Sequence, residues 1–323
     1  MSELILAVVV PCYNEQEVLP ETCRRLEALL HRLIEDGVID ARSRIWFVDD
    51  GSSDRTWPMI HEASLTQGSL VCGIKLSRNR GHQAALMAGL MTVTGDVLIS
   101  VDADLQDDLD AIPKMLNEFR SGCDIVYGVR ISRDSDTFFK RITAEGYYTL
   151  LQRLGIEVVF NHADYRLMSR RAVEALRAFP ESSIFLRGLI PQLGFRTAQV
   201  EYARSERFAG ESKYPLGKML ALAWQGVTSF SAAPLRAITM LGMLVSITSL
   251  GLGFWALWVR LFTDRALPGW ASIVIPLFLL SGVQLLALGV IGEYLAKVFM
   301  ETKRRPMYVV EQILQPRETG DGK

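Results

Sequence analysis

Val97-Leu-Ile-Ser-Val-Asp-Ala-Asp-Leu-Gln106 passes from an apolar run straight into two carboxylates, Asp102 and Asp104, set two residues apart. The apolar part, Val97–Val101, has the length of a buried strand rather than of a helix. An extended chain points alternate side chains the same way, so both carboxylates are expected to face one ion. Leu4–Val10, Ile45–Val48 and Val71–Leu76 are similar runs upstream, and Asp124–Tyr127 is a fifth downstream. Helical stretches separate them. Asn14, with Glu17 three residues on, predicts a helix opened by a capping box, running to about Asp36 and stopped by Gly37; Gln83–Leu90 predicts another. Strands spaced by helices imply parallel βαβ units, an α/β fold whose ligands bind at the carboxyl ends of the strands. Acidic pairs at strand ends are often solvated turn residues, so a lone DxD is weak. Here Asp49-Asp50 ends a second strand, which gathers several carboxylates on one sheet edge. Such hard ligands suit Mg²⁺ or Mn²⁺ accompanied by a counter-anion such as a diphosphate.

The rest of the chain has another character. Its 323 residues carry 35 Lys+Arg against 36 Asp+Glu, and a net charge of −1 excludes a broad basic face for nucleic acid. Residues 1–207 hold 24 basic and 29 acidic side chains, whereas 208–323 hold 11 and 7, so an acidic front precedes a basic, apolar rear. Cys12, Cys23, Cys72 and Cys123 all lie in the front without metal-type spacing and read as reduced thiols. The first apolar run lacks preceding basic residues and stops at Pro11, unlike a signal peptide.

Ala237–Val259 and Ala266–Gly292 are 23 and 27 consecutive uncharged residues. At about 1.5 Å per helical residue, each crosses a hydrocarbon core of roughly 30 Å. Trp255, Trp258 and Trp270 flank the short loop between them, as interfacial aromatics do. That loop carries Arg260 and Arg265, against Lys213, Lys218, Arg236, Lys297, Lys303, Arg304 and Arg305 at the other ends, so both termini are expected in the cytoplasm. Leu216, Met219, Leu220, Ala223, Trp224, Val227 and Phe230 recur at helical spacing and predict a segment lying on the inner membrane surface, a plain core helix being the alternative. The expected organisation is a cytoplasmic catalytic domain over 1–212 and an amphipathic juxtamembrane segment over 213–234. Two transmembrane helices then fill 235–297 (about 235–259 and 268–292), and a cytoplasmic tail ends the chain over 298–323.

Pro11-Cys-Tyr-Asn-Glu15, Val48-Asp-Asp-Gly-Ser-Ser-Asp54, Arg78-Asn-Arg-Gly81 with Ala85-Leu-Met-Ala-Gly89, and Asp102-Ala-Asp-Leu-Gln-Asp107 follow one another in order. Asp164-Tyr-Arg-Leu-Met-Ser169, Arg207-Phe-Ala-Gly-Glu-Ser-Lys213 and Gly292-Glu-Tyr with Glu301-Thr-Lys-Arg-Arg-Pro306 come later. In these the chain resembles the family 2 glycosyltransferases of GT-A fold. Within them it is similar to the polyprenyl-phosphate glycosyltransferases: bactoprenol (undecaprenyl-phosphate) glucosyltransferases and, more distantly, dolichyl-phosphate mannose synthases. The resemblance runs from about Leu4 to Val310. It implies that Pro11, Tyr13, Glu15 and Asp50 bind the nucleotide. It also implies that Asp102, Asp104 and Gln106 hold Mg²⁺ or Mn²⁺ and the diphosphate, and that Arg130 and Arg141 stand on a loop over the active site. Glu15 alone also reads as a helix first-turn carboxylate, and Arg130–Arg141, with four basic and two acidic residues, as a solvated loop.

Arg207 and Lys213 are expected to hold the acceptor phosphate, and Asp164 to orient the acceptor or act as a base. The alternative for the basic pair is plain attraction to anionic lipid. Gly251-Leu-Gly-Phe-Trp-Ala256 mimics a dinucleotide fingerprint but follows no strand, and His82 reads as a structural histidine at a helix start. The Gln-x-x-Arg-Trp signature of processive polysaccharide synthases is absent. The resemblance thus implies inverting transfer of one hexose, UDP-glucose favoured, to undecaprenyl phosphate, for cell-envelope glycan modification such as that of O-antigen. Mannose or modified aminoarabinose are the rival sugars. A non-catalytic, nucleotide-sugar-binding partner of a lipid-sugar flippase is the rival of another class. The product of transfer would need a separate flippase, and the amphipathic segment and two spans leave room for a homo-oligomer.

Overall fold

Seven consecutive buried residues, Leu6–Cys12, form β1 in the computed structural model, which describes residues 4–130, 162–179, 186–203, 233–262 and 269–315. A strand buried on both faces belongs inside a sheet covered by helices on both sides. Around it stand β2 (Arg44–Asp49), β3 (Val71–Leu76), β4 (Val97–Ser100), β5 (Ile125–Arg130), β6 (His162–Ser169), β7 (Thr197–Tyr202) and β8 (Val310–Leu314). Their spatial order is β7-β5-β6-β4-β1-β2-β3-β8. Leu6, Val8 and Val10 face a layer that includes Leu26 of α1 (Leu19–Glu35), Ile60 of α2 (Thr56–Leu65) and Ile112 of α4 (Ala111–Arg120). Ala7 and Val9 face Ala85 of α3 (His82–Thr92) and Val173 of the helix Arg170–Arg177.

The expected parallel units hold for β3, β2, β1 and β4. Elsewhere the sheet is mixed. β6 inserts between β4 and β5, antiparallel to both, and β8 lies antiparallel on the outer edge of β3. No apolar run announces β6, because its core positions include Asp164 and Arg166, buried with each other.

The opening of α1 differs from expectation. Asn14 is left-handed at φ 55°. Its Oδ1 accepts from Ser53 N at 2.9 Å, while its own N–H donates to Ser52 Oγ at 2.9 Å. Since that side chain braces the neighbouring loop, no capping box forms; α1 starts at Leu19 with Pro20 in its first turn. Its end is as expected, at Glu35 with Gly37 at φ 65°.

α3 packs onto β1 and β2 closely enough that a Cβ on Gly89 would lie 2.3 Å from Val9 Cγ1 and 2.9 Å from Val48 Cγ2. Helix propensity favours alanine over glycine by about 1 kcal/mol, but this overlap with a β-branched strand residue reverses the sign. Gly89→Ala should therefore destabilise by about 1–3 kcal/mol, read as a lower urea midpoint at unchanged m-value.

The residues divide into two compact units, the second built on helices Ala233–Phe262 and Gly269–Thr302. Both helices expose large apolar side chains, among them Met240, Phe254, Trp258, Leu277 and Leu285. Among the described residues, Leu280–Thr302 is long and apolar enough to cross a membrane. The second helix continues ten residues past the expected end at Gly292. Residues 213–232 of the expected surface segment lie outside the described residues.

Candidate active site

The carboxyl ends of β1, β2, β3 and β4 lie on one edge of the sheet. β4 stops at Ser100, so Asp102 and Asp104 stand on a turn beyond it rather than on extended chain. Strand alternation is thus not what relates the two carboxylates. The turn is anchored by buried Ala103 and Leu105, by Thr22 Oγ1 donating to Ala103 O at 2.8 Å, and by Gln106 N donating to Asp104 Oδ1 at 3.2 Å. Burial drives the Asp102 carboxyl up to about 6, against the pull of His82 and with added repulsion from Asp107, Asp164 and Asp104.

β6 brings Asp164 to this edge. Register pairs Ser100 with Arg166, and the Ser100 hydroxyl donates to the Asp164 carbonyl. Arg166 Nη2 donates to Asp164 Oδ1 at 2.5 Å, and Arg187 Nη2 donates to Oδ2 at 3.2 Å. His82 Nε2, at the first residue of α3, lies 3.6 Å from Asp164 Oδ2 and 3.5 Å from Asp102 Oδ1. Burial opposes the charge on Asp164, yet His82, Arg166 and Arg187 outweigh it and hold this carboxyl well below the usual range. Burial likewise opposes charge on His82, but Asp164 and Asp102 hold its pKa above the ordinary value. His82 therefore links the DxD turn to the Asp164 cluster.

The front loops are arranged for contact and bracing. Pro11 is buried inside β1 opposite Val48, while Tyr13 is 46% exposed at the strand's exit. Glu15 is half-buried and its N–H donates to Thr56 Oγ1 at 2.9 Å. Asp50 accepts from Arg80 N and Gly81 N, both at 2.7 Å, tying the ends of β2 and β3 together. Gly51 makes this possible: at φ 67°, its Cβ would lie 2.6 Å from the Arg78 carbonyl carbon. Arg130, at the end of β5, is bound to Asp107 and Tyr202. Arg141, Arg207 and Lys213 lie outside the described residues.

His82, Asp107, Arg166, Arg187 and Tyr202 were not among the expected site residues. Asp107 closes the DxD segment itself, and the charged pair in Asp164-Tyr-Arg166 was a usable sign. Nothing in the sequence around Arg187 gives it away. Among the described residues, no three His, Cys, Asp or Glu side chains converge into a ready-made metal cage. Burial is the main cause that raises Asp102, and the neighbouring carboxylates add to it. A divalent ion would offset that crowded negative charge, and Asp102, Asp104 and the buried Gln106 are the oxygen-bearing side chains that would hold it.

The mixed, mainly parallel sheet with this acidic edge is an α/β fold of the GT-A-like kind. Residues 7–177 match Glycosyl transferase family 2. The chain is 48% identical to Uncharacterized glycosyltransferase YkoT of Bacillus subtilis, over 96% of this chain and 92% of that one. It is 37% identical to Bactoprenol glucosyl transferase of Shigella phage SfX, over 95% and 98%. Against Prophage bactoprenol glucosyl transferase homolog of Escherichia coli the identity is 36%, over 95% and 99%. The chain belongs to glycosyltransferase family 2 and is a glycosyltransferase.

Proposed function

We propose that this enzyme transfers a single hexose from a nucleotide sugar, UDP-glucose being the favoured donor, to a polyprenyl phosphate at the cytoplasmic leaflet, with inversion. The carrying observation is that one chain joins an acidic sheet edge to a helical stretch, Leu280–Thr302, long and apolar enough to cross a membrane. It does so along nearly the full length of its similarity to proteins named bactoprenol glucosyl transferase. The exposed Phe254, Trp258, Leu277 and Leu285 support lipid contact, and the Lys/Arg placement supports cytoplasmic termini.

In this reading Tyr13 and Glu15 contact the nucleoside, while Pro11 and Asp50 shape the loops that receive it. Asp102, Asp104 and Gln106 hold Mg²⁺ or Mn²⁺, which offsets charge building on the departing diphosphate. A lipid phosphate, with a second pKa near about 6, already offers an anionic oxygen at neutral pH and needs no base. This agrees with the depressed carboxyl of Asp164, a poor proton acceptor suited to orienting Arg187 and His82. Arg207 and Lys213 hold the acceptor phosphate, the arginine bidentately and the lysine as a mobile charge.

The test incubates the purified chain with undecaprenyl phosphate, Mn²⁺ or Mg²⁺, and a panel of labelled nucleotide sugars. A β-linked glucosyl lipid from UDP-glucose is expected. Another labelled sugar in the lipid would change the donor; an α-linkage would overturn direct displacement; nucleotide-sugar binding without product would favour a non-catalytic partner.

A further inference from the structure

The turn that carries Asp102 and Asp104 is not at ease by itself. Leu105 sits at φ 57°, a left-handed conformation that costs a branched residue about 1–2 kcal/mol, so contacts from outside must keep it. One tie is Tyr165, whose hydroxyl donates to Asp108 O at 3.0 Å. The strongest involves Asp107, whose side chain is fully buried. Tyr202 OH donates at 2.5 Å to Asp107 Oδ1, Arg130 Nη2 donates at 3.2 Å to the same oxygen, and Arg130 Nε donates at 3.0 Å to Tyr202 OH. The three groups close a ring. Asp107 Oδ2 is buried without a hydrogen-bond partner among the described residues, so this carboxylate's described anchorage runs through Oδ1.

The ring joins three distant segments: the turn after β4, the last residue of β5 and the last residue of β7. Tyr202 is itself fixed, its ring packed edge-on to Tyr165 at 5.2 Å between centroids. Hydrogen bonds to charged groups are stronger than neutral ones, and a buried network fully made is rigid where a partial one is not.

We propose that Asp107, Arg130 and Tyr202 are positioning residues that hold the DxD turn in the shape able to take a divalent cation, so that β5 and β7 set the site's cation affinity. This rests on the reading that Asp102 and Asp104 are the cation's ligands. Arg130 then acts through Asp107 and not by touching the donor.

The experiment measures retention of Mn²⁺ by the full chain in detergent, in the presence of UDP, from the electron paramagnetic resonance signal of free Mn²⁺. Tyr202→Phe keeps the ring against Tyr165 and removes the hydroxyl. Arg130→Lys keeps a positive charge but not the paired donors. Each should weaken Mn²⁺ binding about tenfold, the order expected for a lost hydrogen bond to a charged group. Because the ring is closed, the double variant should be little weaker than the weaker-binding single one. Asp104→Asn is the control for the ligands. Failure of wild type to retain Mn²⁺, or retention undiminished by Asp104→Asn, would overturn the underlying reading and the proposal with it. Retention lost on Asp104→Asn but within twofold of wild type in folded Tyr202→Phe and Arg130→Lys would overturn the proposal alone. A lowered melting temperature with unchanged Mn²⁺ binding counts as that result, since it marks a purely structural role. Should Tyr202→Phe fail to fold, the half-exposed Arg130→Lys decides.

Discussion

Asp104→Asn should lose roughly 10²–10³ of turnover, the several kcal/mol a catalytic cation supplies, while its melting temperature stays level or rises. The two effects separate because Asp104 has different roles in function and in folding. For the fold, it accepts a local hydrogen bond from Gln106 N, and an amide oxygen can accept the same bond. For the cation, it offers a charge that an amide lacks. Its charge also burdens Asp102, whose carboxyl is raised to about 6 by burial and by neighbouring carboxylates. A group whose folded pKa lies above its unfolded value costs stability once the pH exceeds that value, so removing a repelling neighbour relieves the native state at neutral pH. Turnover and thermal melting of the variant, set beside wild type with excess EDTA, check both halves. Near-normal turnover in the variant, or full wild-type turnover in EDTA, would remove the metal role. A large drop in melting temperature would instead make Asp104 a structural residue.

The acidic edge was legible because its parts are local. Asp49-Asp50 and Asp102-x-Asp104 each follow an apolar strand, and parallel crossovers bring those strand ends together. β6 was not legible for the opposite reason. Its pattern is broken by Asp164 and Arg166, which are tolerable in a core only because they face each other, and a one-dimensional pattern does not display mutual pairing. Asn14 misled in a similar way. Its side chain has the chemistry of a helix cap but meets Ser53 N from the next loop, 39 residues away, before any helix begins. His82 was read as structural by virtue of standing alone. It is alone in sequence, yet two carboxylates from different strand ends lie within 3.6 Å. The long apolar runs were the easiest part, since a helix that length needs no partner in sequence to be seen. The second helix still continues past its uncharged stretch, as Glu293 and Lys297 stand four apart on a helix turn where opposite charges are compatible.

The Asp164 cluster carries the largest expected stability effect. Arg166 is almost entirely buried, with 2% of its side chain exposed, and Asp164 is its hydrogen-bonded counter-charge, itself 8% exposed. Arg166 Nε and Nη1 have no other partner among the described residues, so the guanidinium depends on that carboxylate. Asp164→Asn would strand a buried cation, and breaking such a pair from one side costs about 3–5 kcal/mol. Asp164→Asn combined with Arg166→Met should be more stable than Asp164→Asn alone, because replacing both ions by a neutral or apolar group is often close to neutral. The pH dependence has a definite sign. The Asp164 carboxyl lies well below the ordinary value in the folded chain. Its stabilisation is therefore present above the unfolded pKa, about 3.9, and is lost as acid protonates the folded carboxylate. Wild type should outmelt Asp164→Asn by a wide margin near neutrality, and the gap should close as the pH falls below about 4. Turnover of Asp164→Asn should drop without a new ionisation in the pH–rate profile, since the wild-type carboxylate does not exchange protons in the working range. An unchanged melting temperature in Asp164→Asn, or no recovery in the double variant, would mean that Arg166 is held by something other than this carboxylate. Loss from the rate profile of an ionisation near neutrality that His82→Gln leaves in place would restore Asp164 as a base.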